Sequence, residues 1–319
     1  MSSRFSVVSF PMHYSDESRI RHLLVVFISF MPFLYILTFR DGFIFYKALT
    51  GIEFSERDRP DVVGNIPMYY TFTVWVSSLS QPILVALLRF SKSRVKKLIF
   101  LVSLILLCLA IGSKSSLMMI AVYFYLTWKA SPLKKFKWGI ITALFLFSFY
   151  FFMKVVYVPH VLENDRVIFL VFDSLFRRVS VINYSIASFV FEYFVGEGGH
   201  LPGEFSHLKQ FVFYSIYGYL PGGAPVPLYM QGFYLFNDLS FSLIYTCIVS
   251  FLVVSFFKFA LNSTKGIYFE IVRFLIFYGV ILMCMGFIED VFIRSLLPIG
   301  IFCLICNFPK IRFSERFSL

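Results

Sequence analysis

Apolar runs about as long as a bilayer is thick recur along this chain, at 22–39, 67–90, 138–157, 239–260, 271–288 and 291–308. A helix needs about 20 apolar residues to cross the hydrocarbon core, and fewer where it is short or kinked. Between lipid tails a segment must pair its backbone N–H and C=O groups internally, so such runs fold as helices. Composition agrees: 59% of the 319 residues are hydrophobic, 15% are charged, 44 are Phe, and the mean hydropathy is +0.79. A soluble domain is nearer half apolar and roughly 25% charged. The expected fold class is all-α, a polytopic integral membrane protein, with residues 1–319 as a single membrane domain.

Residues 98–128, LIFLVSLILLCLAIGSKSSLMMIAVYFYLTW, are too long for one span and are broken by GSKSS. Basic clusters flank them on both sides, SKSRVKK at 91–97 and KASPLKKFK at 129–137. If both clusters are cytoplasmic, the segment is a hairpin of two short helices meeting at Gly112–Ser116. Added to the six clear runs, this predicts about eight transmembrane helices with both termini inside. The first 21 residues are polar, and the apolar run after them lacks a small-residue cleavage site, so an uncleaved anchor is expected.

Charge tests the threading. The proposed inner parts are 1–21, the end of the second span with 91–97, 129–137, 258–273 and 309–319. They hold 18 of the 29 Lys and Arg but only 4 of the 18 acids, Asp16, Glu17, Glu270 and Glu315. The inside is then +14 and the outside −3, as the positive-inside rule asks. The pI of 9.4 and net charge of +11 thus read as topology, and no nucleic-acid partner is expected. The segment 158–238 becomes a large external loop. Its parts 167–195 and 206–220 are apolar enough for interfacial helices; a full crossing by either would invert all that follows.

Four external places carry unusual polar residues. At the hairpin tip, Ser115 or Ser116 can cap the following helix, whose N-terminus with Lys114 beside it would suit an anion; an ordinary capped turn with a snorkelling lysine reads equally well. In DSLFRRVSVINYS, 173–185, Arg177 and Arg178 lie outside, against the usual bias. They either anchor the chain at headgroups, or grip a phosphate or diphosphate bidentately together with Arg166. Asp173 stands four residues before Arg177, a helical ion-pair spacing. In GEGGHLPGEFSH, 196–207, the residues His200, Glu204 and His207 lack a fixed ligand spacing; His200 is kept for proton transfer and no metal site is expected. In FIEDVFIRSLLP, 287–298, Glu289 and Asp290 can pair with Arg294, and charges this close to the membrane are functional candidates.

No P-loop, dinucleotide fingerprint, HExxH or GxSxG is present, which leaves nucleotide-driven pumping and classical hydrolysis without support. The five cysteines, Cys108, Cys247, Cys284, Cys303 and Cys306, all fall in apolar runs, so no disulfide framework is indicated. The CxxC of Cys303 and Cys306 reads as a packing or lipid-facing helix.

The IGSKSS tip, the arginine-bearing loop DSLFRRVSVINYS and the stretch GYLPGGAPVPLYMQGFYLFNDLSFSLIY together resemble the Wzy-type O-antigen polymerases, over roughly 98–310. The resemblance rests on layout more than on invariant strings. It implies a glycosyltransferase of the bacterial inner membrane, acting at the periplasmic face. Such an enzyme moves a growing glycan from an undecaprenyl diphosphate carrier onto the next lipid-linked repeat unit, without metal, nucleotide or other cofactor. The implied partners are the undecaprenyl-diphosphate-linked oligosaccharide and membrane lipid, and the resemblance admits a chain-length-regulating membrane protein. The implied roles are Arg177, Arg178 and His200 in catalysis, and Lys114, Ser115, Arg166 and Arg294 in diphosphate binding. The general base stays open among His200, Glu192, Glu197 and Asp238. The family commonly has more spans, and here only two precede residue 98. An O-antigen ligase, or a flippase for the lipid-linked unit, is the alternative. A flippase should show ionisable groups within several spans and internal repeats, and this sequence shows neither clearly.

Overall fold

The computed structural model describes residues 16–43, 46, 50, 66–110, 114–157, 166–176, 182–218, 226–286 and 288–307. Regular structure among the described residues is helical throughout. The elements are α1 (Asp16–Thr38), α2 (Tyr69–Phe90), α3 (Arg94–Ala110), α4 (Lys114–Thr127), α5 (Pro132–Tyr157) and α6 (Val167–Phe176). After them come α7 (Ile182–Phe191), α8 (Leu208–Tyr217), α9 (Leu228–Phe236), α10 (Leu239–Ser263), α11 (Gly266–Met285) and α12 (288–307).

Among the described residues four helices are long and apolar enough to cross a membrane: α2, α5 over Pro132–Phe152, α10, and α11 over Gly266–Cys284. That is fewer than the eight expected. α1 is strongly apolar only over Val25–Thr38, and the hairpin arms α3 and α4 hold 17 and 14 residues. α12 carries Glu289, Asp290 and Arg294 near its start. The hairpin is present, with α4 beginning at Lys114. Ser115 and Ser116 therefore lie inside its first turn, whereas capping would have put one of them before it.

α2 is the hub. Its residues from Val76 to Leu87 are buried apart from Leu79, against α1, α3 and α11. It contains a wide π turn at Val76–Ser80, and α12 contains another at Phe292–Leu296. Each ends two residues before a proline, Pro82 and Pro298. Proline has no N–H to offer the preceding turn and its ring crowds that turn, so a locally widened helix relieves both. The two π turns touch. Beside them α11 comes close to α12 at Gly279, where an added Cβ would stand 2.3 Å from the Ser295 hydroxyl oxygen. Ser295 Oγ donates to the Leu275 carbonyl at 2.8 Å.

The segment between α5 and α10 has its own core. Ile186, Val190, Phe194, Phe211, Val212 and Met230 pack together from α7, its terminal π turn, α8 and α9. The described helices of this segment hold 9 or 10 residues, α7 reaching 15 with its π turn, all shorter than the about 20 that a crossing needs. α9 turns into α10 within two residues. Asn237 takes the left-handed conformation (φ 51°) that ends α9, and Asp238 caps α10 by accepting from the Phe241 N–H at 2.9 Å. Gly232 lets the two helices meet, since a Cβ there would be 3.0 Å from the Ser242 backbone.

Candidate functional site

Arg294 lies in the π turn of α12, four residues after Asp290, and the two pair at 3.6 Å as their spacing predicts. Lys209 of α8 reaches the other Asp290 oxygen, so the segment between α5 and α10 is tied by charge to the start of α12. The guanidinium lies 5.6 Å from the centre of the Tyr70 ring, which begins α2, and neighbours the Tyr278 hydroxyl of α11. Four helices thus meet at the Asp290–Arg294 pair, α2 and α11 at the arginine and α8 at the aspartate. Only 21% of the Arg294 side chain is exposed, so it is held in place instead of trailing into solvent. Glu289 is exposed beside it.

Gln231 of α9 completes this end of the bundle. Its buried amide donates to the Val226 and Gly286 carbonyls at 3.1 and 3.2 Å and accepts from the Ile288 N–H at 3.2 Å. The amide therefore fixes the turn that carries Asp290 and Arg294. Nothing in the sequence marked Gln231, an ordinary amide in YMQGF.

His200 is exposed, on a loop whose backbone is held from three directions. Tyr193 Oη donates to the His200 carbonyl at 2.9 Å, Gly199 N–H donates to Tyr193 O at 2.8 Å, and Asn237 Nδ2 donates to Gly199 O at 3.3 Å. A Cβ at Gly199 would meet the Tyr193 backbone oxygen at 2.8 Å, so the loop requires glycine there. Of the other base candidates, Asp238 is occupied as a helix cap and Glu192 accepts from Ser188 Oγ at 3.1 Å. Glu197 is exposed. Glu204 and His207 are exposed too, and among the described residues no three His, Cys, Asp or Glu side chains gather to hold a metal ion.

Arg166 is exposed just before α6, and its carbonyl accepts from Leu170 N–H at 3.0 Å. Arg177 and Arg178, and the side chains of Lys114 and Ser115, lie outside the described residues.

The opposite end of the bundle holds a second charged cluster. Glu270 of α11, its side chain 5% exposed, receives Arg89 of α2 at 2.9 Å and the Tyr123 hydroxyl of α4 at 2.6 Å, with Arg273 at 3.8 Å. Arg89 also donates to Thr127 Oγ1 at 2.8 Å. Three helix ends are clamped by one carboxylate. The trace of this in the sequence is Glu270 as a lone acid in the basic stretch 258–273, with Arg273 at helical spacing. All five cysteines are free thiols, Cys303 and Cys306 among them. In comparisons with known protein families, curated proteins and solved structures, the chain matches none.

Proposed function

We propose that the chain is a metal-independent membrane glycosyltransferase, threaded eight times through the bacterial inner membrane. In this reading it polymerises undecaprenyl-diphosphate-linked repeat units of a surface polysaccharide at the periplasmic face. The observation that carries the reading is Arg294 together with Lys209, gathered on Asp290 under the external helices. Two cations on one carboxylate are preorganised for an anion that brings more charge and more acceptor atoms than a carboxylate does. A carrier diphosphate is such an anion, and it is also the leaving group, on which negative charge grows as the glycosidic bond breaks. Cations already in place stabilise that charge without reorganising, a contribution of about 10²–10³ in rate for one well-placed group.

The threading draws support from which helix ends meet. Arg89, Glu270 and Arg273, all assigned to the inside by charge, cluster with one another and with Thr127 at the end of α4. Lys209, Asp290 and Arg294, all assigned outside, gather likewise, with Tyr70 of α2 beside them. The fixed loop beneath His200 suits a general base that must meet the acceptor hydroxyl at a set place.

The test is a gel of surface lipopolysaccharide from a deletion strain. Polymerase activity predicts loss of the ladder with a surviving single-repeat band. Loss of all capped core would indicate a ligase or flippase instead. Complementation with Arg294→Lys, Arg177→Lys or Arg178→Lys, at matched protein level, then asks whether the guanidinium fork matters. Ladders shortened or lost are expected, and full-length ladders from all three would reject bidentate diphosphate binding by these arginines.

A further inference from the structure

We propose that the inner end of the bundle binds a phosphate-bearing anion in the depression between α4, α5 and α11. This open hollow of about 670 Å³ is lined by Leu126, Thr127, Trp128, Lys129, Ala130, Ser131, Lys135 and Arg273. Three cations reach it from two parts of the chain far apart in sequence, and its lining contains no carboxylate. A bias that served topology alone would scatter lysines over the inner loops and would have no need to turn them on one hollow.

The nearest acid, Glu270, is already engaged by Arg89 at 2.9 Å and by Tyr123 at 2.6 Å, whereas Arg273 stands off at 3.8 Å. The Arg273 guanidinium therefore keeps donors for a ligand in the hollow. Thr127 and Ser131 supply hydroxyl groups, though Thr127 Oγ1 donates to its own helix at Tyr123 O (2.8 Å). Trp128 packs edge-on against Trp138 with ring centroids 6.0 Å apart, an aromatic pair of the kind found at the headgroup level of a membrane. A guanidinium fork with two ammonium groups, beside interfacial tryptophans, fits a phosphate ester or inorganic phosphate. The anion has two natural sources, the headgroup of an anionic phospholipid or phosphate free in the cytoplasm. The proposal shares the two-sided reading above and none of its transferase chemistry.

Native mass spectrometry of the full-length protein in neutral detergent tests it, with phosphatidylglycerol, phosphatidylcholine and inorganic phosphate as probes. Lys129→Gln with Lys135→Gln should weaken phosphatidylglycerol or phosphate binding roughly tenfold or more, taking about 1 kcal/mol per basic group near the surface. Lys129→Gln alone, at an exposed position, should lose less in the same direction. The control is Lys96→Gln with Lys97→Gln, two exposed lysines on the same side whose removal takes away the same charge. Binding of phosphatidylglycerol that phosphate fails to displace identifies a headgroup; displacement at millimolar phosphate identifies the soluble anion. Equal losses from both lysine pairs, no loss from Lys129 and Lys135, or equal binding of phosphatidylcholine would each overturn the proposal. None of these results depends on the lipopolysaccharide phenotype.

Discussion

Gln231 shows how one neutral side chain can hold a charged site in shape. With 2% of its surface exposed, it satisfies two carbonyls and one N–H that have no water to turn to. Each buried polar group left without a partner costs about 1–3 kcal/mol. Gln231→Leu fills the same space but strands all three, so a loss of about 3 kcal/mol or more is expected. The measurement is the melting temperature in detergent, with Gln210→Leu as the control. Gln210, in the first turn of α8, accepts from the exposed Ser206 Oγ at 3.0 Å, and its replacement should move the transition little. An equal shift for the two variants would show that the amide does not hold the turn. Arg294 is fixed through that turn, so under the proposed polymerase function loss of the Gln231 amide should also shorten the glycan ladder at matched protein level.

At the scale of helices, Glu270 joins α2, α4 and α11 at one end of the bundle. Removing one member of a buried pair leaves the other charge uncompensated, whereas removing both is close to neutral. Arg89 is about one third exposed, which moderates the cost. Glu270→Ala should therefore destabilise by about 2 kcal/mol, and Glu270→Met combined with Arg89→Met should recover most of the loss. A double variant no better than Glu270→Ala would mean that the helices are held by packing alone. The helices themselves were largely legible. Length and hydropathy marked α2, α5, α10 and α11, and the GSKSS break marked the hairpin of α3 and α4. The π turns of α2 and α12 were not, because widening before Pro82 and Pro298 depends on a neighbour that accommodates it. The separate core between α5 and α10 is hidden too, since the apolarity of its helices fits a membrane surface as well as it fits burial against one another. Of the site, the Asp290–Arg294 pair followed from spacing, while Lys209 lies 81 residues from its partner and no local pattern could join them.

For the whole molecule, the strongest regularity is that charge and contact divide the chain in the same way. A net +14 on one set of segments and −3 on the other was counted without reference to folding. Among the described residues the fold brings together Arg89, Thr127 and Glu270 at one end, and Tyr70, Lys209 and Arg294 at the other. Such agreement is expected if successive helices alternate in direction, and the hairpin is what makes it work. Without the return of α4, Thr127 would lie at the far end from Arg89. The short helices of the external segment matter equally, because one crossing between α5 and α10 would put Glu270 and Asp290 on exchanged sides. Reporter fusions after residues 133, 202 and 265 separate these cases. Cytoplasmic signals at 133 and 265 with a periplasmic signal at 202 are expected. A cytoplasmic signal at 202 would place His200 and Arg294 away from any lipid-linked glycan presented outside, and the transferase reading would fall with it. A periplasmic signal at 265 alone would instead require a crossing within 158–238, and would leave the pairing of α4 with α2 as the part of the threading still standing.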